Sequence, residues 1–280
     1  MKRIHQWTRY CLLTAALTGL LQVQVVVQAA EPATNAKPTN PEVDALMIKA
    51  GFLSSHPDLR YRLHGLKEMK AGKHGDALRF FQRAAYYGDK PSQAMVAEML
   101  WNGQGSERDP AMAYAWMDLA AERGYAGFLG LRERYWNTLS EAQQAQAIVE
   151  GQAIYAKYGD AAAQPRLAAV LRRERRKMAG SRTGFDGNVE ILIPGEGGVE
   201  QISGTKFFDE KFWDPKQYQA WHDSIWMKPR VGRVSVGEVQ DLNQEGKAPG
   251  SRIPATEPKV DDVEPSTPER DEDGLGGPGS

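Results

Sequence analysis

Apolar residues recur at steps of three and four along much of the chain, and one such stripe appears twice, 36 positions apart. The first copy is Ala77-x-x-Phe80-x-x-x-Ala84-Ala85-x-x-Gly88, and the second is Ala113-x-x-Trp116-x-x-x-Ala120-Ala121-x-x-Gly124. That spacing lines one face of an α-helix, and a glycine after the last periodic residue supplies the left-handed backbone that ends it. The stripes predict helices over 76–87 and 110–123. Small alanines let a neighbouring helix approach, and Phe80 or Trp116 fills the space above them. Asp109 adds a side-chain cap, and Pro110 suits the first helical position.

Partner stripes precede both copies. Leu59, Leu63, Leu66 and Met69 predict a helix over 59–71, closed by Gly72. Val96, Met99 and Leu100 predict one over 92–102, closed by Gly103-Gln104-Gly105, a turn that a helix does not continue through. A looser third pair follows. It comprises 125–136, with Phe128, Leu131 and Tyr135, and a helix that starts at the capping box Ser140-x-x-Gln143 and runs to about Tyr158. A last helix is expected over 166–178, carrying Leu167, Val170 and Leu171. Repeated helix pairs bury their apolar faces by stacking on one another. The expected fold is therefore mainly α, an α/α superhelical solenoid over 58–180, with a small mixed extension and a disordered tail.

Beyond Ser181 the pattern changes. Residues 188–194 read as a strand closed by Pro194 and the glycines that follow, and 231–239 read as a second strand. Asp214-Pro215 repeats the cap-plus-proline signal before Tyr218, Trp221 and Ile225. Phe207, Phe208, Phe212, Trp213, Trp221 and Trp226 crowd this stretch. Over 181–242 they mark either a capping module that packs on the open end of the helices or an interaction surface for a peptide or glycan, and packing is favoured.

The segment from Ser92 through Gly103-x-Gly105, Asp109, Trp116 and Ala120-Ala121 to Gly124 resembles a Sel1-like repeat, a relative of the tetratricopeptide repeat. The half-copy from Ala77 to Gly88 supports the resemblance, which covers about 59–158. Ala97 stands where the family has a glycine, Ser106 replaces an aliphatic, and the third pair lacks the Gly-x-Gly turn. The resemblance implies a scaffold or adaptor that works through protein contact. Secreted relatives linked to β-lactam binding or hydrolysis pair cysteines in each repeat, and that activity is not carried over here.

The ends alter the picture further. Lys2, Arg3 and Arg9 precede an apolar run interrupted by Gln22 and Gln24, and Val27-Gln28-Ala29 fits a cleavage site between Ala29 and Ala30. The rival reading, an uncleaved anchor, asks for roughly 20 unbroken apolar residues. Export to the periplasm or beyond is expected, with 1–29 removed and 30–57 as a linker, leaving no stable membrane span. The single cysteine, Cys11, lies in the leader, so the exported chain has neither a disulfide nor a thiol nucleophile. Removing three basic and no acidic residues takes the formal charge from −1 to −4, which argues against nucleic-acid binding. The stretch 243–280 holds nine acidic and four basic residues, many Pro and Gly and no aromatic, and is expected to be a disordered acidic tail.

Candidate chemistry is sparse. His56, His64, His74 and His222 fall in no zinc pattern, and neither a phosphate loop nor a nucleophile elbow is present. No catalytic residue, metal site or cofactor is expected. Arg172, Arg173, Arg175, Arg176 and Lys177 form a basic strip that reads as a solvated helix end or as a contact for anionic lipid, glycan or the chain's own acidic tail. The leading expectation is a non-catalytic interaction scaffold whose partner is an envelope protein or peptide. A cell-wall hydrolase and a regulator or inhibitor of an envelope enzyme are the alternatives.

Overall fold

The computed structural model describes residues 43–178, 189–195, 198–228 and 250–266. The leader, its cleavage site at Ala29 and Ala30, and the strand expected over 231–239 lie outside them.

The helices form where the stripes place them. After the short α1 (Ala45–Lys49) and a 3-10 turn (Phe52–Ser55) come α2 (Pro57–Lys70), α3 (His74–Tyr86), α4 (Lys90–Asn102), α5 (Pro110–Ala120), α6 (Ala126–Thr138), α7 (Glu141–Tyr158) and α8 (Asp160–Met178). Consecutive helices pack as pairs, α2 on α3 and α4 on α5, while α3 also meets α4 and α5 meets both α6 and α7. Ala77, Phe81, Ala85, Val96, Met99, Ala113, Trp116, Met117 and Ala120 share one buried core. Phe80 and Ala84 turn to a smaller cluster with Tyr61.

Side chains cap the helices, Asp109 and the Ser140 box as the sequence predicts and Asp89 in addition. Asp89 accepts from the Ser92 N–H at 3.0 Å and Asp109 from the Met112 N–H at 2.9 Å. Ser140 and Gln143 make the reciprocal capping box. Two boundaries differ from expectation. The α-helix of the second copy stops at Ala120, and 121–123 tighten into a 3-10 turn closed by Gly124 at φ 76°. α8 begins at Asp160, before Pro165, because the Gly159 carbonyl accepts from Ala162 and Ala163 and starts the helix directly off α7. Pro165, the sixth residue of α8, has no N–H to offer the Ala161 carbonyl, so the helix runs through it at the cost of one hydrogen bond.

Beyond α8, β1 (Glu190–Gly195) and β2 (Gly198–Ser203) form an antiparallel hairpin in which Glu190 faces Ser203 and Gly195 faces Gly198. The partner of β1 is thus the adjacent stretch 198–203, not the one expected over 231–239. Three helices follow, α9 (Gly204–Phe207), α10 (Glu210–Trp213) and α11 (Pro215–Trp226). Their rings turn inward. Phe207, Phe212, Trp213 and Tyr218 share a second core with Met47, Phe52, Leu53, Leu59 and Leu171. At its centre His56 stacks on Phe52 at 3.8 Å, with Nδ1 2.8 Å from the Phe52 carbonyl and Nε2 2.8 Å from that of Phe212. One imidazole so ties the first helices to α10.

Within the acidic stretch 243–280, residues 250–266 are described. Residues 250–266 lie on the helices as an irregular segment. Composition concealed this, because the segment buries only one side chain, Ile253. Polar contacts provide the rest of its hold.

Candidate functional site

The 250–266 segment follows a track across α5, α6, α7, α8 and α3. At its start Ser251 donates to Asp118, and the Arg252 guanidinium meets Glu133 at 2.9 and 2.6 Å while lying 4.7 Å over the Trp136 ring. Ile253 seats between α5 and α7, where a Cβ on Gly151 would overlap its side chain. A glycine inside α7 costs roughly 1 kcal/mol of helix propensity relative to alanine, and the seat for Ile253 accounts for it. Burial of that side chain returns roughly 1.5–3 kcal/mol.

Further along, the recognition is of backbone. The Lys259 N–H donates to the Ala156 carbonyl at 2.7 Å. Arg166 donates to the carbonyls of Val260, at 2.7 Å, and of Lys259. Tyr86 donates to the Asp262 carbonyl. At the far end Lys157 lies 3.5 Å from Asp262 and Arg83 2.7 Å from Glu264.

The track is therefore polarised. Acidic groups, Asp118 and Glu133, receive the basic start, and basic groups, Arg83, Lys157 and Arg166, receive the acidic end. Burial pushes the Asp118 carboxyl up, against the pull of Ser251, Tyr155 and Arg132. Burial also opposes ionisation of Glu133, yet Arg252 and Arg132 hold that carboxyl below its ordinary range. A cleft of about 570 Å³ flanks the start of the segment, lined by Asp118, Arg132, Tyr155 and Ile253 among others.

A second cleft, about 420 Å³, is lined by residues of α2, the start of α4, α8 and α11. Tyr218 donates to Asp58 Oδ2 at 2.7 Å, and His222 Nε2 stands 3.7 Å from the same oxygen. Among the described residues, Asp58 Oδ1 and His222 Nε2 are buried without a hydrogen-bond partner. Burial and the nearby Asp89 raise the Asp58 carboxyl to about 7, although Tyr218 and Arg62 oppose them. Burial drives His222 well below its ordinary value. Across the cleft Lys90 lies 3.1 Å from Asp160, and Arg123 meets the same carboxylate at 2.7 and 2.9 Å. Burial opposes that charge, but the two cations keep Asp160 below the usual carboxylate range. A protonated carboxyl beside a neutral imidazole can give and take a proton at one place.

Of the residues singled out in the sequence, Ala77, Ala84, Ala85, Ala113, Trp116, Ala120 and Ala121 are buried packing positions. Gly88, Gly103, Gly105 and Gly124 all have positive φ and close turns, and Asp109 is a cap. Gly88 lines the cleft at Asp58, and Ala121 and Gly124 line the one beside the 250–266 segment. In the basic strip Arg172, Arg173, Arg175, Arg176 and Lys177 are exposed, with Arg173 and Lys177 beside Glu174 and Arg175 3.6 Å from Glu210. In the tail, Glu264 meets Arg83 and Asp262 lies beside Lys157 instead. Sequence reasoning missed Asp58, Glu133, Gly151, Arg166 and His222, since none belongs to a local motif. Gly151 within a predicted helix was the one visible sign.

Among the described residues no helix is long and apolar enough to cross a membrane, and no group of three or more His, Cys, Asp or Glu could hold a metal ion. Residues 90–125 match the Sel1 repeat, from the first residue of α4 through α5 to Tyr125. No curated protein and no solved structure matches the chain.

Proposed function

We propose that this Sel1-repeat chain is an exported, non-catalytic scaffold that holds an extended segment of an envelope protein. The observation that carries this reading is the polarised track on α3 and α5–α8, which already holds such a segment from the chain's own tail. Stacked helix pairs commonly offer extended binding surfaces of this kind. The basic and apolar leader and the absence of cysteine beyond it support export.

The test is photo-crosslinking in the native envelope, with the reactive group placed at Trp136 or Arg83. A discrete adduct with one envelope protein is expected at both positions. Recovery of no specific adduct, under conditions where a control envelope pair crosslinks, would count decisively against the scaffold.

The cleft at Asp58 and His222 supports a second reading, hydrolysis of cell-wall material. It calls for turnover of peptidoglycan fragments that is lost on Asp58→Asn while the fold persists. A regulator of an envelope enzyme is a special case of the scaffold, and inhibition of the crosslinked partner would identify it.

A further inference from the structure

We infer that residues 250–266 are a displaceable intramolecular occupant of the track, and that the ligand they displace or yield to is an extended protein segment of the same chemistry. This rests on the scaffold reading and names both the partner class and the regulation of its site. The ligand chemistry follows from the contacts. Glu133 and Asp118 call for a basic residue, and the Gly151 seat calls for a branched aliphatic immediately after it. Lys157 and Arg83 call for acidic residues ten and twelve positions beyond the basic one, as at Asp262 and Glu264. Between these ends the hold is on backbone, which any non-proline sequence offers.

Three observations mark the segment as a ligand rather than a structural element. It belongs to neither a helix nor a strand, and residues 254–259 are all exposed. Only Ile253 is buried, so release opens one apolar seat rather than a core. The seat itself is built from the helices, since Gly151 gives up its side chain to make it. Covalent attachment sets the competition. A tethered segment acts at an effective concentration set by the length of its connection, so a ligand in trans must overcome that or meet a weakened segment.

The probe is a fluorescein-labelled synthetic peptide of residues 250–266, titrated against the full chain by polarisation. The wild-type chain is expected to bind it weakly. The full chain carrying Arg252→Glu and Ile253→Asp has an intact track and a weakened occupant, and should bind at least tenfold more tightly. Glu133→Arg should abolish binding of the native peptide, and a peptide carrying Arg252→Glu should recover it. Helical circular dichroism on each variant shows that the track is folded. Equal affinity of the wild-type and double-variant chains would overturn the inference, as would failure of the charge reversal in a folded chain. A wild-type dimer that the double variant turns to monomer would overturn intramolecular occupancy, because the occupant would then be a second copy. Peptide binding as expected, with no envelope adduct recovered, would sink the scaffold reading alone. An adduct mapped away from the track, with no peptide binding, would sink this inference alone.

Discussion

At Gly105 the backbone has φ 80°, and a Cβ there would overlap the carbonyl of His74. The second glycine of the turn thus lets α4's exit touch the start of α3, which a side chain would prevent. Trp116 does the complementary work, filling the space over the alanines with its ring 4.6 Å from that of Tyr158. Trp116→Ala should destabilise the fold by about 3–5 kcal/mol in denaturant titration, the usual cost of emptying an aromatic core site.

Buried titratable groups give a pH signature. Asp58 titrates near 7 in the folded chain, above its ordinary value, so the folded chain keeps a proton that the unfolded chain has released. That contribution is full below the ordinary carboxylate value and is lost as pH rises toward 7. His56 runs the other way. Burial lowers it to about 4 against the donor-seeking carbonyls of Phe212 and Phe52, so its contribution is present above the ordinary histidine value and lost as pH falls toward 4. In Asp58→Asn only the second remains. The melting temperature of that variant minus that of the wild type should rise between pH 5 and pH 7.5. A difference independent of pH would show that Asp58 is not protonated in the fold.

At the scale of elements, caps and pairings set the helix boundaries. Asp109 caps α5 through one amide, and Asp109→Ala should cost about 1 kcal/mol. Asp89 caps α4 and also meets the buried Arg62 at 3.1 Å. Its removal should cost more, about 3–5 kcal/mol, since a buried ion pair is broken along with the cap. Comparing the two alanine variants by thermal melts checks that ordering.

The elements most legible in the sequence are those governed by near neighbours. The stripes at Ala77 and Ala113, the Asp109 cap, the Ser140 box and the turn glycines all act within a few residues, and each stands where its pattern placed it. α8 was misjudged because Pro165 reads as a helix start and Gly159 as a stop, while Gly159 in fact launches the next helix. β2 was overlooked because Val199 and Ile202 take opposite faces of a strand that pairs only through β1. The candidate sites were nearly illegible. Asp58, Tyr218 and His222 lie up to 164 positions apart, and Arg252 reaches Glu133 across 119. Composition also spoke against the tail, since a segment held by one isoleucine and backbone hydrogen bonds has the average character of a solvated one.

At the scale of the whole molecule, the described residues form two cores and an occupied track. The helix pairs hide their apolar faces in series, and the C-terminal rings cover the first helices and α8. His56 and the Asp58–Tyr218 hydrogen bond link those parts. The cleft at Asp58 arises where these parts meet, and the track runs over α3 and α5–α8, so both are built by several helices rather than by one motif. Gly151→Ala should therefore leave helical circular dichroism unchanged while loosening the tail, which limited proteolysis within 250–266 would report as faster cleavage.

The most direct measurement is amide hydrogen exchange of the intact chain, read at Lys259, whose N–H donates to Ala156 across the track. That amide should be protected in the wild-type chain and lose its protection in the chain carrying Arg252→Glu and Ile253→Asp. Exchange at the rate of an unstructured peptide in the wild-type chain would contradict an occupied track.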